Sequence, residues 1–501
     1  MASHSQITEG HPAEHRKQNR GLGHWMSKVL SECDKVEKGF DPDAVHDLRT
    51  ALRRCRTAAD GLGQLDSDKT WRKLKKGSGK LFRSMGQLRD QQVMRDWIGK
   101  LAPQEDPFSQ KLLAAIAADE PSVRAAAQKA LNHFDRKAWK KWCRALPERA
   151  RKVPKEGLAF QHLALERWQE AHSLHTRVLR RPSRVGWHRL RIELKRFRYL
   201  LENFLPRRYE QWAGDLKTLQ DLLGEVHDLD VLWAALRKSC IASDPGAANR
   251  WQSRIEAERS LRLAQYQQMM KGSESRWSLW RRSLPEGSKV DAAAVAKLSA
   301  WASYLDSDLA HSQRVRDLAL ELFDGFRTLK LHELFQQGRE KRILQCAALL
   351  HDVGRSRADS GHHKVSYRMI RDFPPPIGWT REDMLWTALV ARYHRGAEPS
   401  VTHEGYGALS PVEQERVAWL AATLRLADSL DGEHDGRVLG VRVETTREAI
   451  LIAAPGYSED MALTSEVAGK KHLLETLCRR PVILRPASIK PESVFASAMA
   501  S

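Results

Sequence analysis

The sequence has no run of about 18 apolar residues, so no segment has the length and composition of a membrane-spanning helix. Its six cysteines, Cys33, Cys55, Cys143, Cys240, Cys346 and Cys478, are scattered without a C-x-x-C pair. That spacing excludes a zinc knuckle and a disulfide framework and predicts reduced, mostly buried thiols. No Gly-rich phosphate loop is present, nor a second α/β domain that would carry one. The first twenty residues are polar, carry acids and lack the apolar core of a secretory signal, so a cytoplasmic protein is expected.

What is present is positive charge, unevenly placed. The chain of 501 residues exceeds a single core of about 100–200 residues, so two or three domains are expected. A composition of 42% hydrophobic and 29% charged residues belongs to globular proteins. The net charge is +20, yet residues 1–300 carry 57 Lys and Arg against 36 Asp and Glu, whereas residues 301–501 carry 26 against 27. Such asymmetry points to a polyanionic partner: nucleic acid, polyphosphate or an anionic surface.

Apolar residues recur at helical spacing from Leu30 to Trp280, where runs rich in Val, Ile and Thr are nearly absent. After a break at RRSLPEGSK, which puts a boundary near residue 288, a second helical stretch runs to Leu430. The segments RVLGVRVET and AILIAAP then predict a small terminal sheet, and the tail from Ser488 should be frayed. The fold class is therefore mainly α: two repeated helical bundles, then a helical domain with a small C-terminal β-sheet. The repeat is visible directly. VHDLRTALRRCRTAADGL (45–62) aligns with WHRLRIELKRFRYLLENF (187–204), and SMGQLRDQQVMRDWI (84–98) with LLGEVHDLDVLWAAL (222–236).

In the first copy His46, Arg49, Arg53 and Arg56 fall on one helical stripe; in the second His188, Arg191, Lys195 and Arg198 take the same offsets. Val45, Leu48, Leu52 and Cys55, and their counterparts Trp187, Leu190, Leu194 and Phe197, form a separate apolar face that should pack inward. A merely solvated face would place acids at i+4 for pairing, but each stripe runs through four basic or His positions first. Like charges so spaced repel unless an anion lies between them. These features resemble the CHAD (conserved histidine α-helical domain) family over residues 20–285. The resemblance implies inorganic polyphosphate as partner, gripped by His46, Arg49, Arg53, Arg56, Lys80, Arg83 and Arg89 with His188, Arg191, Lys195, Arg198 and Lys217. His227 stands where the first repeat has Arg89, a weaker phosphate ligand at neutral pH.

The dipeptide His-Asp occurs at residues 46, 227, 351 and 434, so context must select among them. The run RILQCAALLHDVGRSR sets His351 and Asp352 at a helix end. With His311 on an earlier helix and Asp428 on a later one, two imidazoles and two carboxylates can converge on one divalent cation: Mn, Fe, Co, Ni or Zn, with Mg also possible. This H…HD…D order is that of HD phosphohydrolases. The segments HDVGRSRADSGHHKVSYRMI, LVARYHRGAEP and LAATLRLADSLDGEHDGRV resemble the C-terminal domain of the exopolyphosphatase/guanosine pentaphosphate phosphohydrolase family over residues 290–487. By that resemblance His311, His351, Asp352 and Asp428 are metal ligands, and His362, His363 and His394 hold a second metal or move a proton. Lys364, Arg392 and Arg395 are then suited to phosphate oxygens, and the reacting set comprises His351, Asp352, His394, Lys364 and Arg395. The family's actin-like ATPase-fold module has no counterpart in this sequence. Three readings follow: a polyphosphate-binding protein whose HD domain hydrolyses polyphosphate or a phosphorylated guanine nucleotide; a polyphosphate-granule protein with an inert or regulatory HD domain; and a nucleic-acid-binding HD nuclease, which charge alone favours.

Overall fold

The computed structural model describes residues 21–102, 106–239, 244–458 and 461–487; Cys240 and the tail from Ser488 lie outside them. Among the described residues there are seventeen α-helices and one three-stranded sheet. They form two compact units. One holds the residues up to Gly63 with Asp68–Arg151 and Arg167–Ser278; the other holds Gln64–Ser67, Lys152–Glu166 and the chain from Leu279 onward. No described helix is long and apolar enough to cross a membrane.

The first unit is all helix: α1 Leu22–Glu37, α2 Pro42–Leu62, α3 Lys69–Leu101, α4 Pro107–Asn132, α5 Arg136–Arg151, then α6 Leu158–Arg180, α7 Arg184–Phe204, α8 Pro206–Ser239, α9 Pro245–Met270 and α10 Arg276–Arg282. The start of α6 falls in the other unit. The duplication reaches beyond the aligned segments. Helices α2 and α7 have 21 residues each, α3 and α8 have 33 and 34, and α4 and α9 have 26 each. Both α4 and α9 open on Asp-Pro, with Asp106 and Asp244 accepting from backbone N–H groups of the first turn. Helix α2 packs against α7, and α3 against α8. The inward face is the expected one: Val45, Leu48, Leu52 and Cys55 are fully buried, as are Leu190 and Phe197, with Trp187 and Leu194 nearly so. Each large apolar side chain removed from water there contributes about 1.5–3 kcal/mol, and that burial fixes the rotation of both helices.

The second unit continues with α11 Ser288–Ala302, α12 Leu309–Thr328, α13 Gly338–Leu350, α14 His362–Arg371, α15 Arg381–Arg392 and α16 Pro411–Leu430. Strands β1 Arg442–Thr445 and β2 Ile450–Pro455 pair antiparallel with Val443 opposite Ile452. Helix α17, Met461–Cys478, then returns the chain to β3, Val482–Ala487, which lies parallel to β2 with Ile452 opposite Leu484. The first two strands match the alternating runs in the sequence. The third strand and α17 carried no comparable signal, yet a parallel pair needs a crossover of this length. The described thiols are all free; Cys33, Cys55 and Cys346 are buried, and Cys143 and Cys478 half-buried.

A short 3₁₀ turn, Val353–Ser356, joins the end of α13 to α14. Its Gly354 N–H donates to Ser366 Oγ at 2.9 Å. A Cβ at Gly354 would lie 2.3 Å from the carbonyl oxygen of His362 and 2.6 Å from the backbone nitrogen of Ser366, and neither backbone atom can swing away. Gly354→Ala should therefore cost about 1–3 kcal/mol by overpacking. Gly338→Ala, where nothing lies within 4 Å, should be close to neutral. Urea titrations of the two variants against wild type measure the contrast.

Candidate functional site

The two basic stripes meet on one face of the first unit. Lys195 is held well below the usual lysine range by burial and then by Arg191, Arg53 and Arg49, so the charges of α2 and α7 act on one another. Burial and the neighbouring Arg53 push Arg49 down to about 10, and burial lowers Arg191 likewise. The buried Nε atoms of Arg49, Arg191 and Arg198 have no hydrogen-bond partner. Other donors are anchored: Arg49 Nη1 donates to Gly86 O at 3.2 Å, Arg53 Nη1 to the Tyr199 hydroxyl at 2.8 Å and Arg198 Nη1 to Gln220 Oε1 at 2.7 Å. Arg56 donates to Lys75 O and, at 3.1 Å, to Ser78 Oγ. Two glycines of α3 lie against these guanidinium groups: a Cβ at Gly86 would be 3.8 Å from that of Arg49, and one at Gly79 about 3.5 Å from both Arg83 and Arg56 Nη1.

The remaining members are spread outward. Burial, then Arg89, lowers His46, and burial, then Arg191, lowers His188. Nδ1 of His188 lies 3.2 Å from Nδ1 of His227. His227 falls to about 3 through burial and the cations around it, so it is neutral at pH 7, as expected of the position that differs from Arg89. Arg89 Nη1 donates to Gln92 Oε1 at 3.2 Å. Lys80, Arg83 and Lys217 are exposed. Two acids complete the cluster. Asp90 on α3 and Asp228 on α8 are both raised by burial against the pull of the surrounding Arg and Lys side chains, Asp228 to about 6. They follow Arg89 and His227 directly, at matching places in the repeat. Their signal was that symmetry, hidden because they lie on helices other than the stripes.

In the second unit five helices, α12 to α16, converge. The His351 Nδ1 atom is 2.7 Å from Ala348 O, His394 Nδ1 is 2.7 Å from Ala391 O, and His362 Nδ1 is 3.1 Å from Asp359 O. Each ring thus donates one N–H to the backbone and turns the lone pair of Nε2 inward. The Nε2 of His351 lies 3.6 Å from Asp428 Oδ1 and 3.8 Å from Asp352 Oδ2. His362 and His394 Nε2 lie 3.0 and 3.8 Å from Asp352 Oδ1. His311 Nε2 lies 3.4 Å from Asp428 Oδ1. Two overlapping groups, His311, His351 and Asp428, and His351, Asp352 and His394, have ligand atoms within 4.8 Å of one another.

These residues fit a divalent cation on chemical grounds. Buried His351 Nε2, Asp352 Oδ1 and His362 Nε2 have no hydrogen-bond partner; the 3.0 Å approach of the last two lacks hydrogen-bond alignment. Burial opposes ionisation of Asp352, but His351, His362, His394 and Arg355 outweigh it and hold the carboxyl well below its usual range. Asp428 is likewise held down by His311, His394 and Lys470 against its burial. Ionised oxygens and aimed imidazole lone pairs are what such a cation requires. His362 and His363 lie outside both groups; His362 still reaches Asp352, whereas the ring centroid of His363 is 6.4 Å from that of His394. Burial, then His362, Lys364, Arg395 and Arg392, brings His363 down to about 4, which puts those three cations beside it.

Four neighbours escaped sequence reasoning. Asp431 Oδ2 lies 2.7 Å from His311 Nδ1, and its other oxygen 3.2 Å from Arg314 Nε. Together Asp428 and Asp431 raise His311 to about 9 despite its burial. His434 stacks on His311 with centroids 3.8 Å apart. Arg355 Nε stands 2.5 Å from Asp352 Oδ2. Lys470 on α17 donates to Asp428 Oδ2 at 3.0 Å and His394 O at 3.2 Å. Asp431, His434 and Arg355 lie within a few residues of motif positions, so proximity was their only signal; Lys470 had none.

No curated protein matches the chain. Among solved structures, the crystal structure of the CHAD domain from the plant Ricinus communis aligns with 52% of this chain and 88% of its own, at 23% identity and a TM-score of 0.36. Family models match both parts of the sequence: the basic helical part matches the CHAD domain over residues 21–237, and the part with the histidine–carboxylate cluster matches Ppx/GppA phosphatase, domain III, over residues 294–466.

Proposed function

We propose that residues 20–285 bind inorganic polyphosphate through the joined stripes of α2 and α7, and that residues 290–487 form an HD-type, metal-dependent phosphohydrolase acting on polyphosphate or a phosphorylated guanine nucleotide. The observation that carries the binding reading is the crowding of Arg49, Arg53, Arg191 and Lys195, where burial first and then the neighbouring cations lower Arg49 to about 10 and hold Lys195 well below the usual lysine range. Repulsion of that kind is relieved by an anion that touches all four, and a phosphate chain supplies one charge per link. A nuclease has less support, since charge alone favours it and the sequence carries no recognition motif for DNA or RNA. Polyphosphate granules are the proposed cellular setting, in the cytoplasm.

For hydrolysis, His311, His351, Asp352 and Asp428 would hold a divalent cation, with His362 and His394 available for a second. When bound, such a cation lowers the pKa of water so that hydroxide is available near neutral pH, and it polarises a phosphoryl oxygen. The rest falls to the chain. Asp431 and the backbone carbonyls fix the ring orientations, and Lys470 holds one oxygen of Asp428 so that the other faces the cluster. Arg355, Lys364, Arg392 and Arg395 would balance charge that builds on phosphate oxygens during attack.

Replacing Arg49, Arg53, Arg191 and Lys195 together by Ala should weaken polyphosphate binding by at least about 100-fold, given several charge-assisted contacts of about 1.5–3 kcal/mol each. Isothermal titration at matched salt measures it, and retained affinity would remove α2 and α7 from the site. Asp352→Ala should lose bound Mn, counted by elemental analysis, and about 100-fold or more of the phosphate release from polyphosphate or guanosine tetraphosphate. Wild-type protein that releases phosphate from neither would leave a binding protein with an inert second domain. The raised Asp228 gives a pH dependence: it is charged above about 6 and neutral below, so the cluster gains one positive charge as pH falls through that value. Polyphosphate affinity should rise accordingly, and Asp228→Asn should bind more tightly at pH 7.5 and flatten that step.

A further inference from the structure

Outside the α2–α7 cluster the first repeat carries a second cationic surface. Helix α5 reads RKAWKKWCRALPERAR, with no acid before Glu148. Trp139 and Leu146 are buried, which points Lys137, Lys141 and Arg144, at i, i+4 and i+7, away from the bundle. All three are exposed, and none makes an ion pair or hydrogen bond among the described residues. The acids at hand are engaged elsewhere: Asp34 and Glu37 with Arg136, Glu148 with Arg151 and Asp68 with Arg149.

This row runs beside another. Helix α5 packs on α3 with Trp142 3.3 Å from a Cβ placed at Gly77 and Arg149 3.5 Å from Asp68, so the two helices are antiparallel. On the outward side of α3 lie Lys76, Lys80 and Arg83, exposed and likewise without an ion pair. Each row runs from i to i+7, or about 10 Å along its helix. At Gly79 the guanidinium groups of Arg83 and Arg56 come together, each about 3.5 Å from the position of a Cβ. The outer rows are therefore continuous with the stripe of α2.

We infer that the α3–α5 surface is a second contact site for the same polyanion, holding the part of a long polyphosphate chain that extends past the α2–α7 cluster. This rests on the polyphosphate reading given above. Between the α5 cations stand Ala138 and Ala145; Trp139 is buried and Trp142 half-buried over Gly77. Surfaces for single-stranded nucleic acid add exposed rings for base stacking, and this one has none to offer. A flexible chain with a charge on every link meets two separated rows without needing a set register. Linking both contacts through one chain raises affinity only for chains long enough to reach both.

The test compares a triple variant, Lys137→Ala, Lys141→Ala and Arg144→Ala, with wild type on polyphosphate of a few links and of a hundred or more. All three side chains are exposed, and circular dichroism checks that the variant is folded. Short-chain affinity should be unchanged, long-chain affinity should fall about tenfold or more, and the slope of log affinity against log salt should drop by roughly 2, at about 0.7 per cation lost. Unchanged long-chain affinity would overturn the inference. So would loss of duplex or single-stranded DNA binding with polyphosphate binding intact, which would make the surface a nucleic-acid site. The α2–α7 quadruple variant keeps the two readings apart: retained short-chain binding there defeats the central site alone.

Discussion

Charge repulsion held in place by apolar packing governs the first unit. The faces of α2 and α7 that carry Val45, Leu48 and Leu52, and Trp187, Leu190 and Leu194, are buried, and their burial leaves the helices no freedom to rotate the adjoining stripes apart. Arg49, Arg53, Arg191 and Lys195 must then share a confined space, where desolvation and then repulsion disfavour the charged forms of Arg49, Arg191 and Lys195. Asp90 and Asp228 relieve part of this from the flanking helices but are themselves raised by burial. Two internal acids against at least four cations leave a deficit of negative charge. The fold thus sustains a standing demand for an anion, set by hydrophobic burial elsewhere.

The second unit inverts that logic. Its crowded groups are carboxylates and imidazoles, with one ring nitrogen each of His351, His394 and His362 pinned by Ala348 O, Ala391 O and Asp359 O so that the others converge. Here the deficit is of positive charge near His351 Nε2 and Asp352 Oδ1, both buried without a hydrogen-bond partner. Arg355 and Lys470 meet it in part, each taking one oxygen of a carboxylate and leaving the other facing the cluster. One chain therefore holds a site that calls for anions and a site that calls for cations, the two requirements of handling phosphate.

How much of this was legible follows from which interactions are local. The stripes and their apolar faces could be read because helical periodicity is written in consecutive residues, and duplication wrote it twice. His311, His351, Asp352 and Asp428 could be found because their order and spacing carry a motif. His363 was grouped with His362 and His394 by resemblance, yet neighbours on a helix point about 100° apart, and of the adjacent pair His362 is the one that reaches Asp352. Lys470 and the acids Asp90 and Asp228 act across helices, and no local pattern marks a residue whose partner is chosen by tertiary packing. The third strand and α17 were missed for a similar reason: VILRPA becomes a strand by pairing with β2, not by its own alternation.

The two repeats also differ, and the difference falls on one side. Helix α5 has 16 residues, whereas α10, at the same place in the second repeat, has seven. Arg89 in the first copy corresponds to the neutral His227 in the second, and Arg83 to Asp221. Each change adds cationic surface to the first copy or withholds it from the second. A symmetric pair of bundles would hold a polyanion equally in either direction. Here the central cluster draws on both copies while the outer rows belong to one, so a long chain leaving the cluster meets more positive charge along α3 and α5 than along their counterparts.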